Sequence, residues 1–154
     1  MFSLNRREIL QLGGVSLGVG TAGCTSVGIN SSGPPRLVKL TIGNHDPEPY
    51  TVYVMLLKDG EPVFWNVMDA DAANPDTNRP GGGRLEGYPT EADSYVLYAW
   101  RDDQPRSDWQ RFDFGDHDAE CVGIYIQIGY FDSDTGELRI YRTYDCQVGS
   151  DNES

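Results

Sequence analysis

"YTVYVMLLKDGEPVFWNVMD", residues 50–69, decides the fold. Val52, Val54 and Leu56 alternate with Thr51, Tyr53 and Met55, the period of two that sends successive side chains to opposite faces of a strand. "KDGE" at 58–61 is a tight-turn signal, and Pro62 suits the start of the strand that follows, "PVFWNVMD". Strand, turn and strand make a hairpin.

The same pattern continues outward in both directions. Upstream, "RLVKLTIG" (36–43) places Val38, Leu40 and Ile42 on one face. The turn residues "NHDPEP" separate it from residue 50, so these two strands are also expected to pair as a hairpin. Downstream, "ADAANPDTNRPGGGR" (70–84) has no periodicity and three consecutive glycines, and reads as a long loop, mobile or functional. Beyond it "SYVLYAW" (94–100), "WQRFDF" (109–114), "CVGIYIQIGYF" (121–131) and "ELRIYRTYDC" (137–146) are four more strands between turn clusters. About seven short strands with no helical period predict an all-β protein, an antiparallel β-sandwich of immunoglobulin-like type over residues 36–147, followed by a disordered tail at 148–154. Tyr95, after the acidic bend "TEAD", resembles the tyrosine that pins a corner in such sandwiches.

A chain of 154 residues with 38% apolar and 11% aromatic content supports one such domain and core. Its charge is lopsided, with 24 acidic against 12 basic residues; Lys39 and Lys58 are the only lysines. The acids are interleaved with β-branched and aromatic residues, as on a folded acidic surface, and such a surface repels nucleic acid and anionic headgroups. In composition the whole chain resembles proteins of salt-loving archaea, where concentrated salt screens the self-repulsion.

The N-terminus carries an address. In "NRREILQLGGVSLGVGTAGCTS" (5–26) the pair Arg6-Arg7 precedes an apolar stretch at 12–23 that is rich in glycine and too short to cross a hydrocarbon layer of ~30 Å at 1.5 Å per residue. A basic start, an apolar centre and small residues at its end are the anatomy of an export signal. The arginine pair with "EIL" resembles a twin-arginine signal, and "TAGC" at 21–24 resembles a lipobox, with cleavage before a cysteine that becomes lipidated. Thr21 departs from the leucine usual there, and Asn5 and Gln11 depart from the commonest twin-arginine flanks. The resemblance implies a signal peptide at 1–23, lipid on Cys24 and a polar tether, "CTSVGINSSGPP" (24–35). The protein is then expected at the outer face of the cytoplasmic membrane, its membrane contact made through Cys24. Loss of Arg6, Arg7 and Glu8 leaves ten basic and 23 acidic residues, a formal charge of −13.

With Cys24 lipidated, Cys121 and Cys146 remain, and an even remainder in an exported chain reads as a disulfide. Direct pairing of the two cysteines across the last hairpin would set Ile126 opposite Tyr141, whereas the apolar faces want Ile128 opposite Ile140 or Leu138. A bulge at Gly123 or Gly129 is expected to reconcile the two.

No cofactor is expected. A lipid-anchored archaeal sandwich invites comparison with halocyanin, but blue copper needs two histidines, a thiolate and usually a weak axial ligand such as methionine, with a histidine soon after the cysteine. His45 and His117 both precede Cys121, and both thiols are better used in a disulfide. "GDHDAEC", with Asp116, His117, Asp118 and Glu120, lacks recognised metal-ligand spacing and reads as a solvated acidic bend. "DSDTGE" (132–137) resembles part of a calcium loop but lacks the distal glutamate, and reads as a hairpin turn. No nucleophile-elbow serine or HExxH is present, and no pair of carboxylates stands out from the others. Trp65, Trp100, Trp109 and Tyr98 are expected to fill the core, as alternating aromatics in strands do; on a shared exposed face they would instead make a platform for sugar or peptide.

Whole-domain order resembles the small lipoprotein sandwiches of haloarchaea. That resemblance implies a non-enzymatic surface module, structural or binding a cell-envelope protein or glycan through a sheet edge or the 70–84 loop. The alternative is an extracytoplasmic ligand carrier or enzyme with an unrecognised site, marked by a pocket with clustered aromatics or a perturbed titratable pair.

Overall fold

The structure, a computed structural model, describes residues 32–129 and 136–149. Arg6, Arg7 and Cys24, nearly all of the tether, most of the calcium-like turn and residues 150–154 lie outside the described residues.

The domain is all-β, two four-stranded sheets face to face. Eight strands follow in chain order: β1 (Arg36–Asn44), β2 (Tyr50–Lys58), β3 (Glu61–Ala70), β4 (Gly81–Arg84), β5 (Val96–Arg101), β6 (Gln110–Asp113), β7 (Cys121–Ile128) and β8 (Leu138–Thr143). One sheet runs β4-β1-β7-β8 and the other β3-β2-β5-β6. Between them pack Leu37, Leu40, Ile42, Ile124, Ile126 and Ile128 from the first, and Val52, Val54, Leu56, Leu97, Ala99 and Phe112 from the second. Fully burying each large aliphatic side chain contributes about 1.5 to 3 kcal/mol, which makes this interface the main stabilising element. Tyr95 closes one end, buried and edge-to-face on Phe114 at 5.8 Å.

Several expectations need correction. β1 and β2 do not form a hairpin, because β1 lies in one sheet and β2 in the other, and residues 45–49 cross between them. Asn44 makes that crossover possible. Its buried side-chain amide donates to the carbonyls of Glu48 (2.7 Å) and Asp71 (3.0 Å), and its oxygen accepts from the Asp46 N–H (3.0 Å). These bonds satisfy backbone groups that leave the ladder.

Nor does Val38 face the core. The register against β7 shifts between Leu37 and Lys39, so Val38 is an extra residue and Leu37 turns inward in its place. The 70–84 segment is not wholly loop either: Gly81–Arg84 is the eighth strand and pairs antiparallel with β1. Glycine is required there, since a Cβ on Gly81 would clash with the Asp71 carbonyl, and Gly82 has φ +98°. With the β4 partner on one side, β1 runs parallel to β7 on the other, so this sheet is mixed.

The cysteines are joined, Cys121 to Cys146, with Cα atoms 5.5 Å apart. No bulge at Gly123 or Gly129 is involved in the β7–β8 pairing. β7 and β8 pair without a shift, Ile126 opposite Ile140 and Ile128 opposite Leu138, and the ladder ends at Gly123 opposite Thr143. Cys146 lies beyond it in a 3-10 turn (Cys146–Gly149) that folds back to Cys121, so the disulfide imposes no strand parity, and Val148 and Gly149, expected in a disordered tail, belong to that turn.

Candidate functional site: the aromatic face of the β3-β2-β5-β6 sheet

The core expectation for the tryptophans is overturned. In the register of this sheet, Val67, Tyr53 and Trp100 form one cross-strand row, and Trp65, Met55, Tyr98 and Arg111 the next. Both rows point away from the inward set Val52, Val54, Leu56, Leu97 and Ala99, so all of these aromatics lie on the outer face. Trp109, the residue before β6, joins the first row from the edge.

Trp100 is the centre. Its ring lies parallel to Trp109 at 3.7 Å and 9°, and parallel to Tyr53 at 5.5 Å and 6°. Tyr53 and Trp109 approach from the strands on either side of β5, so both faces of the Trp100 ring are covered and the residue is buried. Trp65 leans across Met55 and meets Trp100 at 5.5 Å and 65°, and Tyr53 at 6.2 Å and 62°. With the faces of Trp100 taken, Trp65 crosses an edge of the stack and stays 53% exposed. Tyr98 meets Trp109 edge-on at 6.3 Å, and the Arg106 guanidinium lies over the Trp109 ring at 5.7 Å. A hydrogen bond to Tyr98 holds the Arg111 guanidinium above its ordinary pKa, and the nearby Asp113 acts in the same direction. The buried Trp109 indole N–H has no hydrogen-bond partner among the described residues.

The outer row of β3 completes the patch. Val63 (44%), Trp65 and Val67 (46%) are exposed together, and β3 is an edge strand: among the described residues nothing pairs with its outer side. A three-residue apolar row on an unpaired edge is a feature that folded proteins ordinarily avoid.

A bulge puts Trp65 there. The Asp59-Gly60 turn, with φ of +51° and +80°, pairs Lys58 with Glu61 and Leu57 with Pro62. Continued without interruption, that register would set Trp65 opposite the inward Val54. The register shifts between Leu56 and Leu57, Val63 is the extra residue, and Trp65 lands opposite the outward Met55. Both parities of β3 are apolar in sequence, so only the bulge distinguishes its faces. Tyr53 and Met55 were legible as a non-core set from β2 alone.

The other sequence candidates have local partners. His117 stacks on Phe112 at 4.5 Å and 9°, and its Nδ1 is 2.7 Å from the Tyr144 hydroxyl. Asp118 accepts from the Gly33 N–H at 2.8 Å, and Glu120 pairs with Arg36 at 3.7 Å. Asp116 ends a single 3-10 turn (Phe114–Asp116). Among the described residues no group of three His, Cys, Asp or Glu side chains is placed to hold a metal ion. His45 is 2.8 Å from the Tyr125 hydroxyl, and no cluster unites it with His117. Within 70–84, the Asn74 side chain accepts from the Asp76 and Thr77 N–H groups and the backbone bridges Asn74 to Arg79. Cys121 and Cys146 are together, as expected. No protein-family model matches the chain, and no curated protein matches it significantly.

Proposed function

We propose that the protein is a lipid-anchored, non-catalytic module of the archaeal cell surface that binds another envelope protein through the outer row and free edge of β3. The anchor rests on Arg6-Arg7, the apolar stretch at 12–23 and Cys24 in that order. The binding role is carried by one observation: Val63, Trp65 and Val67 exposed in a row on an unpaired edge strand, backed by the Tyr53–Trp100–Trp109 stack. Such a strand offers main-chain hydrogen bonds along its edge and apolar contacts on its face, the requirements for strand addition.

The chemistry of the patch favours a protein over a glycan. Sugars need aromatic ring faces together with hydrogen-bonding groups for their hydroxyls. Here both faces of Trp100 are consumed inside the stack, and the exposed residues that flank Trp65 along β3 are Val63 and Val67. A second copy of this chain is disfavoured as well. An antiparallel β3–β3 pairing centred on Trp65 would set Glu61 opposite Asp69 at both ends, and like charges directly opposite are destabilising. The partner is an extended segment, apolar at alternate positions and neutral or basic where it meets Glu61 and Asp69.

Two measurements test this reading. Cys24→Ser should release the protein from the membrane or leave its precursor unprocessed; unchanged retention and processing rejects the anchor. A photo-crosslinking residue at position 63 or 67, in cells, should give one protein adduct of defined mass that disappears when Trp65→Ala is added, with none from position 143 on the opposite sheet. Adducts insensitive to Trp65, or adducts that collapse on deglycosylation to the mass of the chain alone, reject the binding surface.

A further inference from the structure

The four strands of the β4-β1-β7-β8 sheet contain Arg36, Lys39, Arg84, Arg139 and Arg142 and not a single Asp or Glu. Half of the ten basic residues outside the signal thus sit on one sheet of a strongly acidic chain. Three of the five are engaged: Arg36 with Glu120, Arg139 with Glu137, and Arg142 with the Tyr144 hydroxyl. Lys39 has no carboxylate partner among the described residues.

Lys39 lines a cleft on the outer face of that sheet, of about 310 Å³. Its floor is Gly123, directly between Lys39 on β1 and Thr143 on β8. Val148 and Thr143 pack closely beside it, since a Cβ at 123 would come within 3.0 Å of Val148 and 3.1 Å of Thr143. One wall is Tyr125 and Tyr141, paired across β7 and β8. The opposite wall is Val148, carried onto the sheet by the 3-10 turn that Cys146 ties to Cys121. Thr41, Ile124 and Arg142 complete the lining, and the buried Thr41 hydroxyl has no hydrogen-bond partner among the described residues. A buried hydroxyl without a partner is a standing cost that a bound acceptor removes.

We infer that this cleft binds a small organic anion, its carboxylate or similar head taken by the Lys39 ammonium and the Thr41 hydroxyl, and its apolar body held between the two tyrosine rings and Val148. The volume is at the lower limit of small-molecule sites, which restricts the body to an aryl group or a short acyl chain. A partly buried contact pair is screened by salt far less than an exposed one, so the charge preference survives in brine. The site is on the sheet opposite Trp65, and its ligand is independent of the partner proposed for β3.

The test is an amide-shift NMR titration of the full chain in 2 M KCl, with 4-phenylbutyrate as probe and uncharged 4-phenylbutyramide as control. The anion should give saturable shifts at Gly123, Ile124 and Thr143, and the amide should bind about threefold or more weakly, the scale of one partly exposed ion pair. Lys39→Met should narrow the difference between the two probes, and Lys39→Met together with Arg142→Met should abolish it. Tyr141→Ala, on an exposed edge-strand position, should weaken both, and Trp65→Ala should change neither. The proposal is overturned if the anion gives no saturable shift, if Lys39→Met leaves the anion preference undiminished, or if the shifts fall on the Trp65 face.

Discussion

The Trp100 indole lies flat on that of Trp109, 3.7 Å between ring centroids, on the face of the sheet turned away from the core. The sheet therefore carries a second apolar layer, and Trp100 is as enclosed as a core residue while Trp65 beside it is half exposed. Trp100→Ala is expected to cost about 3 kcal/mol, the scale of a buried tryptophan, and Trp65→Ala less than about 1 kcal/mol. Denaturant melts of the two variants check this. Near-ultraviolet circular dichroism should lose its coupled-indole signal only in the first. Equal losses of stability would mean that the stack contributes nothing beyond surface contact.

The alternation in residues 50–69 was enough to read the β2–β3 hairpin and, with the downstream strands, a two-sheet sandwich, because period two survives whatever the partner. Partnership was less legible. β1 alternates like a hairpin strand, yet nothing in "NHDPEP" says that the chain changes sheets there; the signal is the single buried Asn44, which looks like any turn asparagine. Gly81–Arg84 has no side-chain pattern because close backbone approach, not side-chain packing, selects its residues. The aromatic face was hidden by one inserted residue, Val63, that reverses the parity of a strand apolar on both sides.

That dependence on Val63 is testable. Val63→Ala keeps the bulge and should leave stability within about 1 kcal/mol of wild type, since the side chain is exposed. Deleting Val63 removes the extra residue. The strand then pairs without interruption, Phe64 still opposite Leu56 and Trp65 still opposite Met55, so Trp65 and Val67 stay outward. The deletion is expected to keep the cooperative unfolding transition and the near-ultraviolet circular dichroism of the aromatic face. A deletion variant that loses the cooperative transition or that signal would mean that Val63 is not merely the extra residue of a bulge.

Acid stability should depend on Asp93. Its carboxylate is held below the ordinary carboxylate range, first by the hydrogen bond with the Lys58 ammonium at 2.6 Å and then by the Ser94 N–H. A group whose folded pKa is depressed contributes stability that is fully present above its unfolded pKa and lost as pH falls through the folded value. The stability difference between wild type and Asp93→Asn should therefore be constant near neutral pH and shrink below about pH 4. Lys58 is raised by the same contact, so its share persists through neutral pH and is lost only as alkali passes its folded pKa. Urea melts from pH 7 to pH 2.5 measure the acid limb. A difference that grows on acidification would have the wrong sign for this pair.

Salt dependence follows from where the acids are. With none on the strands of the β4-β1-β7-β8 sheet, they crowd elsewhere, and residues 102–120 alone hold Asp102, Asp103, Asp108, Asp113, Asp116, Asp118 and Glu120. Lowering KCl from 1 M to 0.01 M lengthens the Debye length from ~3 Å to ~30 Å, which turns repulsion between neighbouring loop acids into repulsion across the domain. The purified protein should lose thermal stability steeply over that range. The Cys121–Cys146 disulfide acts on the unfolded chain, by roughly 3.5 kcal/mol in the chain-entropy model for a loop of this size, and leaves native-state repulsion intact. Oxidised and reduced protein should therefore show melting curves that are displaced from each other yet fall with equal slope as salt is removed. Circular dichroism melts of both forms across a KCl series measure this. A midpoint that holds steady between 3 M and 0.01 M KCl would show that the acidic surface is not tuned to brine, and slopes that differ between the two forms would place part of the repulsion in the segment the disulfide closes.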